Sequence, residues 1–223
     1  LNLDNKPCLI TGASQGIGAA IAERFLDENA DIMIVSRGSE KLFETKGLLQ
    51  SQYGENRVES AICDCTDKAS LESLKETILQ RWGGVDIVIA NVGDGRSAPD
   101  ALPDEQQWER TWNNNFQSAL LTARTFLPML QKSNGSLLFI SSITALEAFG
   151  APVDYSTAKT AVTALAKNMA RKLGGEVRVN VLAPGNVWFS GGAWDEKIKQ
   201  NNDRVNKIIG STVPMNRFGS PEE

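Results

Sequence analysis

The sequence predicts an α/β protein whose doubly wound, mostly parallel sheet carries helices on both faces, giving three layers. Short apolar, β-branched runs alternate along the chain with longer segments of helical period, which is the order expected of βαβ units. The run VDIVIA (residues 85–90) is apolar at nearly every position, as is typical of parallel strands buried on both faces. Turn signals such as Gly83-Gly84 and Asn134-Gly135 separate most of the segments.

The apolar runs define the predicted strands, at Pro7–Ile10, Asp31–Ser36, Val58–Asp64, Val85–Asn91, Ser136–Ser141 and Val177–Ala183. The segments of helical period define the predicted helices, at Ile17–Asn29, Glu40–Gln52, Lys68–Arg81, Glu105–Leu130 and Asp154–Leu173. No low-complexity linker or short-period repeat interrupts this alternation, so we expect residues 1–223 to form a single domain.

Composition and charge restrict the function. The chain is 41% hydrophobic and 22% charged, which is ordinary for a soluble globular protein. Its net charge is −4 without any block of like charges, so we expect neither a nucleic-acid partner nor binding to an anionic membrane surface. The most apolar window, Ser136–Val153, contains Glu147 and Gly150 and predicts no membrane span. The N-terminus lacks an apolar signal-peptide core, so we expect a cytoplasmic protein.

The three cysteines, Cys8, Cys63 and Cys65, are too few for a disulfide framework. Cys63 and Cys65 alternate across a predicted strand, and we interpret them as buried free thiols rather than metal ligands. We therefore predict no metal site.

The stretch LITGASQGIGAA, residues 9–20, predicts a strand, a glycine turn and a helix, a layout that serves two chemistries. The turn Gly12-x-x-x-Gly16-x-Gly18 can hold phosphates on backbone N–H groups at the positive end of a helix. The same residues form G-x-S-x-G, which presents Ser14 as a nucleophile in hydrolases. The chain contains no histidine, so a Ser-His-Asp/Glu triad cannot be assembled within it, and the phosphate site is favoured.

Polar residues follow the predicted strands where a doubly wound sheet binds ligands, at the carboxyl ends. Ser36-Arg37 follows the second strand, where an acidic residue would indicate NAD and an arginine suits a ribose 2′-phosphate, with Ser36 as an added neutral donor. A solvated surface arginine is the alternative. Asp64 follows the third strand and either contacts an adenine or caps the next helix. Asn91-Val92-Gly93 follows the fourth and is either a turn or part of a site.

Tyr155 and Lys159 are four residues apart, so they lie on one face of a helix. A nearby cation lowers the pKa of a tyrosine from about 10, and such a tyrosine can serve as general acid or base. The alternative is an aromatic ring that merely packs on a lysine stem. After the sixth predicted strand, Pro184-Gly185 turns the chain away from the sheet.

Taken together, these residues resemble the short-chain dehydrogenase/reductase family, whose fold is of the Rossmann type. The resemblance runs from about Asn5 to the last residue. Its ordered motifs are Thr11-Gly12-x-x-x-Gly16-Ile17-Gly18, Asp64, Asn91-x-Gly93, Asn115, Ser142, Tyr155-x-x-x-Lys159 and Pro184-Gly185.

The resemblance implies a role for each matched residue. Tyr155 would pass a proton to the substrate's carbonyl oxygen, Ser142 would hydrogen-bond the same oxygen, and Lys159 would hold the nicotinamide ribose and depress the tyrosine pKa. Asn115, in the kinked helix WNNNFQSA, would hold a water for proton relay. The residues predicted to bind the cofactor are Gly12, Ser14, Gln15, Gly16, Ile17, Gly18, Ser36, Arg37, Asp64, Cys65, Asn91, Gly93, Tyr155, Lys159, Pro184, Gly185 and Val187.

The sequence departs from the family pattern at four places. Ala90-Asn91-Val92-Gly93 stands for Asn-Asn-Ala-Gly, a change that we expect the site to tolerate. Phe189 stands where the family often has a threonine that touches the carboxamide. Trp188, Phe189 and Trp194 lie near the expected substrate lid and either line the substrate or pack the lid. The chain stops at RFGSPEE, where the family continues through a helix and a seventh strand, so we expect a fragment of a longer protein that lacks the C-terminal strand.

The sequence thus predicts an NADP-dependent oxidoreductase that acts on a small-molecule carbonyl or alcohol substrate and prefers NADPH over NADH. The alternative is a non-catalytic NADP-binding or scaffold protein of the same fold. The helices around Phe116–Leu130 and Val162–Leu173 carry apolar and small residues on more faces than one sheet can cover. Together with the resemblance, this predicts a homodimer or homotetramer.

Overall fold

The computed structural model describes residues 3–223, which contain a parallel six-stranded sheet. Its strands are β1 (Pro7–Thr11), β2 (Asp31–Ser36), β3 (Val58–Ile62), β4 (Ile87–Ala90), β5 (Ser136–Ile140) and β6 (Arg178–Leu182). The order across the sheet is β3-β2-β1-β4-β5-β6, so the winding reverses between β1 and β4. A doubly wound sheet opens a ligand crevice at such a reversal, outside the carboxyl ends of the strands. The predicted fold class is confirmed.

The helices are α1 (Gly16–Asp27), α2 (Glu40–Tyr53), α3 (Lys68–Trp82), α4 (Glu105–Trp112), α5 (Ser118–Ser133), α6 (Val153–Leu173), α7 (Ala193–Gln200) and α8 (Asn202–Thr212). The helix predicted over Glu105–Leu130 is interrupted by a π-helical segment, Asn113–Gln117, which separates α4 from α5. Neither α7 nor α8 was predicted. Among residues 3–223, no helix is both long enough and apolar enough to cross a bilayer.

The strands bury alternate side chains on the two faces of the sheet, which produces two cores. Cys8 and Ile10 of β1 pack on one face with apolar residues of α1 and α2. Leu9 of β1 packs on the other face with α3, α5 and α6, where Phe126 and Phe139 are fully buried. Each buried large side chain contributes roughly 1.5–3 kcal/mol relative to exposure. Both faces are therefore covered, as the unbroken apolar runs predicted.

All three cysteines are buried and free, which confirms their interpretation as thiols outside any disulfide. Cys63 and Cys65 follow the end of β3 rather than lying within it. They are consequently at the carboxyl edge of the sheet, beside the crevice.

Candidate active site

A cavity of about 480 Å³ opens at the carboxyl ends of the strands, over the reversal between β1 and β4. Most of the residues predicted to form a site line it: Gly12, Ser14, Gln15, Ile17, Ser36, Arg37, Asp64, Cys65, Asn91, Gly93, Ser142, Tyr155, Lys159, Pro184, Gly185 and Val187. The three predicted site residues outside this lining are Gly16, Gly18 and Asn115. The sheet topology thus brings residues from every strand end to one place.

The glycine turn lies between β1 and α1 and needs glycine for two different reasons. Gly12 and Gly16 have φ of 64° and 60°, in the left-handed region that side chains disfavour. A Cβ on Gly18 would lie 2.5 Å from the Gly12 carbonyl oxygen and 2.6 Å from Asn91 Nδ2. Gly18 therefore lets α1 approach the turn from behind and does not itself line the cavity. The turn leaves backbone N–H groups at the start of α1 next to the cavity, an arrangement that fits a diphosphate.

Helix α2 braces the glycine turn from outside. Thr45 Oγ1 donates a hydrogen bond of 2.9 Å to the Ser14 carbonyl oxygen, and Lys41 Nζ donates one of 2.7 Å to Gln15 Oε1. Within the described part of the chain, no side chain that could act as a base hydrogen-bonds to Ser14 Oγ. A nucleophilic Ser14 has no activating group in this arrangement.

Thr11 and Asn91 join the ends of β1 and β4 at the floor of the cavity. Asn91 Nδ2 donates to the carbonyl oxygens of Thr11 and Gly12, each at 3.0 Å. The Asn91 N–H donates to Thr11 Oγ1, also at 3.0 Å, and that hydroxyl donates to the Ile89 carbonyl at 3.2 Å. Asn91 acts here through its amide and backbone, and its neighbour Val92 makes no such bond through its side chain. This accounts for an apolar residue being accommodated between Asn91 and Gly93.

Asp64 lies at the end of the cavity nearest β2 and β3. Its Oδ1 accepts from the Thr66 N–H at 2.8 Å and from Thr66 Oγ1 at 2.7 Å. Burial acts to raise the pKa of Asp64, but the Thr66 bonds and the charge of Arg37 outweigh it and lower that pKa. The cap of α3 is Asp67, which accepts from the N–H groups of Ala69 and Ser70. The alternative prediction of Asp64 as a helix cap is therefore wrong.

Arg37 lines the cavity with its charge unpaired. Its Nη1 lies 3.4 Å from Asn114 Oδ1, and within residues 3–223 it makes no ion pair. The Ser36 hydroxyl, expected to add a neutral donor, instead donates to the Gly38 carbonyl at 2.7 Å. Its proton is used to close the loop after β2, which leaves Arg37 as the donor for an anion at this position.

Ser142, Tyr155 and Lys159 meet beside the end of β5. Ser142 lies after that strand and accepts from the Thr144 N–H at 3.2 Å and from Thr144 Oγ1 at 3.1 Å. Lys159 is almost fully buried on α6 and donates from Nζ to the Ile140 carbonyl at 3.0 Å. Burial without a carboxylate partner lowers the pKa of Lys159 to about 8.

Tyr155 has a raised pKa in this structure, opposite to the direction expected from Lys159. Burial raises the pKa of Tyr155, the hydroxyl of Ser142 lowers it, and the charge of Asp94 raises it further. Lys159 Nζ lies 5.9 Å from the centre of the Tyr155 ring and is directed at the Ile140 carbonyl rather than at the phenol. The expected depression of the Tyr155 pKa by Lys159 is therefore wrong for the protein without ligand.

Asn115 lies behind the cavity wall, fully buried in the π-helical segment. Its Oδ1 accepts from the Asp94 N–H at 3.0 Å, and its Nδ2 donates to the carbonyls of Asp94 and Thr111 at 2.9 Å each. Both donors of the side-chain amide are therefore used within the protein, and the expected role of Asn115 in holding a relay water stays a prediction. Gly93 is closely surrounded, since a Cβ there would lie 2.8 Å from Lys159 Nζ and 3.0 Å from Asn115 Oδ1.

Asp154 is a buried carboxylate next to Tyr155 that the sequence did not single out. Its oxygens accept from Ser97 Oγ, from Gln107 Nε2 at 3.3 Å, and from the Tyr155 N–H at 2.8 Å. Burial acts to raise the pKa of Asp154, but bonds from Ser97 and Thr111 outweigh it and lower that pKa. The carboxylate joins the loop after β4, helix α4 and the first turn of α6. It thereby fixes the backbone that carries Tyr155.

The segment after β6 covers the cavity and carries the aromatic residues of the predicted lid. Phe189 lies between two glycines, since a Cβ on Gly16 would be 2.6 Å from its ring and one on Gly192 would be 2.9 Å away. Trp194 packs on Phe218 with ring centres 5.3 Å apart. Phe189 and Trp194 both pack within the lid and line the cavity, and their contact with a substrate stays a prediction. Trp188 is 41% exposed and is not part of the lining.

The sequence analysis missed several residues that line the cavity, because they belong to no motif that it used. Arg96 follows β4, and Lys197 lies on the unpredicted helix α7. Asn114 was overlooked beside Asn115, although the run WNNNF pointed to both. Thr66, two residues after Asp64, could have been found as the hydroxyl of an Asp-x-Thr turn.

Comparisons of the sequence and of the structure with known proteins all find dehydrogenases and reductases. The family model for short chain dehydrogenase matches residues 6–198. A 3-oxoacyl-[acyl-carrier-protein] reductase of Thermotoga maritima is 29% identical over 226 residues, covering 100% of this chain and 88% of that protein. Dehydrogenase/reductase SDR family member 4 of Bos taurus is 32% identical over 227 residues, covering 99% and 78%. The structure of L-sorbose reductase from Gluconobacter frateurii, complexed with NADPH and L-sorbose, superimposes with a TM-score of 0.90 at 27% identity, covering 100% and 88%.

Proposed function

The chain belongs to the short-chain dehydrogenase/reductase family of oxidoreductases, and we propose that it transfers a hydride between NADP(H) and a carbonyl/alcohol substrate, with Tyr155 as general acid/base. The observation that carries the proposal is that Ser142, Tyr155 and Lys159 line the same cavity as the glycine turn.

The residues at the turn fit a dinucleotide. The left-handed Gly12 and Gly16 free the N–H groups at the start of α1 for a diphosphate, while Arg37 offers a guanidinium about 20 residues further along the chain. When bound, the nicotinamide supplies or accepts the hydride. Lys159 is placed to hold the adjacent ribose through its ammonium group, since Nζ lies at the cavity wall beside Gly93.

In the proposed reaction, Tyr155 supplies the proton and Ser142 holds the substrate oxygen. With its raised pKa, Tyr155 is protonated at neutral pH and can donate to a carbonyl oxygen at its hydroxyl, as reduction requires. Ser142 Oγ accepts from Thr144, so its own proton is directed elsewhere and can hold the same substrate oxygen. Alcohol oxidation would run through the phenolate form of Tyr155.

NADP is the proposed cofactor because Arg37 is unpaired in the cavity and none of Val35, Ser36 and Arg37 is acidic. The related L-sorbose reductase was solved with NADPH, which supports the choice by similarity. A cytoplasmic location and a homodimer or homotetramer stay predictions. Sedimentation at micromolar concentration tests the assembly.

The non-catalytic alternative of the same fold is disfavoured by the complete Ser142, Tyr155 and Lys159 set in one cavity. The hydrolase alternative is disfavoured by the absence of histidine and of a base at Ser14. Screening a carbonyl panel for NADPH oxidation, including ketoses and 3-oxoacyl thioesters, tests the proposal. Turnover of at least one class supports it, whereas tight NADPH binding without turnover across the panel favours the non-catalytic alternative.

A further inference from the structure

Lys197 is a cation in the wall of the cavity. It lies on α7, is half-buried, and lines the same cavity as Ser142 and Tyr155. Its Nζ stands 4.7 Å from the centre of the Trp194 ring. Among residues 3–223 no ion pair includes it. An ammonium group held on an aromatic face next to a cavity is preorganised for an incoming anion.

The two carboxylates adjacent to Lys197 on α7 are already used. Asp195 accepts from Lys199 Nζ at 2.7 Å and from the Gly191 N–H at 2.9 Å. Glu196 accepts from Arg96 Nε at 2.8 Å and from Arg96 Nη2 at 2.7 Å. Neither carboxylate can turn to Lys197 without breaking those bonds.

The surroundings of Lys197 are positive. Burial and the neighbouring charge of Arg204 lower the pKa of Lys197, and no carboxylate acts in the opposite sense. The carboxylates that line the cavity are Asp64, at the adenosine end, and Asp94, which is paired with Arg96 at 3.1 Å. An anionic group entering beside Trp194 would supply the missing counter-charge.

We propose that the substrate carries an anionic group, a carboxylate or a phosphate, that binds Lys197 beside Trp194 while its carbonyl or hydroxyl group lies at Ser142 and Tyr155. This inference rests on the proposed oxidoreductase function. The apolar surfaces of Trp194 and Pro152, also in the lining, would contact the carbon skeleton between the two ends.

An anion at Lys197 has a second source, the diphosphate of the dinucleotide, because the lid also covers the glycine turn. The two sources predict different losses when the charge is removed. A substrate site makes the preference for acid over ester depend on Lys197. A diphosphate site makes the affinity for NADPH depend on it.

The test uses phenyl oxo acids with two, three or four methylenes between carbonyl and carboxylate, each paired with its uncharged methyl ester. Binding to the full chain is measured by calorimetry in the presence of NADP⁺, and NADPH binding is measured separately. The variants are Lys197→Gln, the conservative Lys197→Arg, and Lys207→Gln, which removes the same charge from an exposed position on α8. Binding is read directly, so the result does not depend on turnover.

We expect at least one acid to bind the wild type about tenfold more tightly than its ester, as a charge-assisted hydrogen bond allows. Lys197→Gln should reduce that ratio to within twofold, while Lys197→Arg and Lys207→Gln retain it and NADPH affinity is unchanged. A wild-type ratio near one for all pairs overturns the inference. So does a Lys197→Gln variant that loses NADPH affinity but keeps the acid preference. Retained acid preference in a protein that reduces no carbonyl would refute the proposed function and leave the anion site standing.

Discussion

Arg96 and Glu196 form a two-point ion pair across the mouth of the cavity, with Nε and Nη2 of the arginine 2.8 and 2.7 Å from the two carboxylate oxygens. The residues are a hundred positions apart in the chain. Arg96 also donates to Asp94 Oδ1 at 3.1 Å and to the Gly191 carbonyl at 3.2 Å. The loop after β4 is thereby joined to the lid and α7.

Breaking this pair should loosen the lid more than the fold. Both side chains are nearly half exposed, and exposed pairs contribute about 0–1 kcal/mol, so Arg96→Met should change the free energy of unfolding by about 1 kcal/mol or less. Limited proteolysis within residues 187–200 should become several-fold faster, because local opening has a smaller cost than global unfolding. Arg24→Met removes another exposed pair, with Asp27, and serves as the control. Equal cleavage rates in the two variants would refute the role of the pair.

Lys159 should destabilise the free protein at neutral pH. Its pKa falls from about 10.4 in the unfolded chain to about 8 in the fold. The folded state therefore binds fewer protons between these values, and stability rises with pH across that window. Allowing for the lost hydrogen bond to Ile140, Lys159→Met should raise the free energy of unfolding by about 2 kcal/mol at pH 7. This increase should disappear above about pH 10.

Denaturant unfolding of the wild type and Lys159→Met without cofactor, at both pH values, measures this gain. Lys167→Met alters an exposed lysine of the same helix and should show little change at either pH. A Lys159→Met protein that is less stable than the wild type at pH 7 would mean that Lys159 is paired in solution.

The raised pKa of Tyr155 can be read directly, because Tyr53 is the only other tyrosine in the chain. Burial and the 2.6 Å hydrogen bond to Asp27 raise the pKa of Tyr53 to about 12. In Tyr53→Phe, the phenolate absorbance of the free protein should report Tyr155 alone, with a midpoint above about 10. A midpoint below about 9 would show that Lys159 controls the phenol without ligand.

Much of the fold could be predicted from the sequence, because hydrophobic period reports burial. Asp31–Ser36 was predicted with its observed bounds, and the ends of the other strands differ from prediction by two residues at most. The resemblance implied a kink in WNNNFQSA, where the structure has the π-helical segment Asn113–Gln117, whereas the hydrophobic period alone did not divide α4 from α5. Helices α7 and α8 escaped because they are short and polar and are packed against each other, which no local pattern reports.

The site could be predicted where one motif carried its own geometry, as in the glycine turn and the Tyr155/Lys159 pair. Electrostatic details could not be predicted, because they depend on neighbours from elsewhere in the chain. Lys159 is directed at Ile140 rather than at Tyr155, and Asn115 is occupied by Asp94. Arg96 and Lys197 entered the cavity only through tertiary contacts, which no local pattern in the sequence reports.

Arg37 should determine the choice of cofactor. A guanidinium bonded to the 2′-phosphate contributes about 1.5–3 kcal/mol, so kcat/KM should favour NADPH over NADH by at least about tenfold at low salt. Arg37→Ala should remove most of that preference, and added salt should weaken it in the wild type because the site is open to solvent. The NADH values are the internal control and should change little. Equal kcat/KM for the two cofactors in the wild type would mean that Arg37 is a solvated surface residue.

The central claim, that Tyr155 is the proton donor of an NADPH-dependent reductase, is tested most directly by Tyr155→Phe. The change removes the phenolic hydroxyl and leaves the ring and the glycine turn in place. With a carbonyl substrate found by the screen, kcat should fall by about two to four powers of ten, the range of general acid catalysis. The dissociation constant for NADPH should stay within about threefold of the wild type. A Tyr155→Phe protein that binds NADPH normally and keeps most of its kcat would contradict the account.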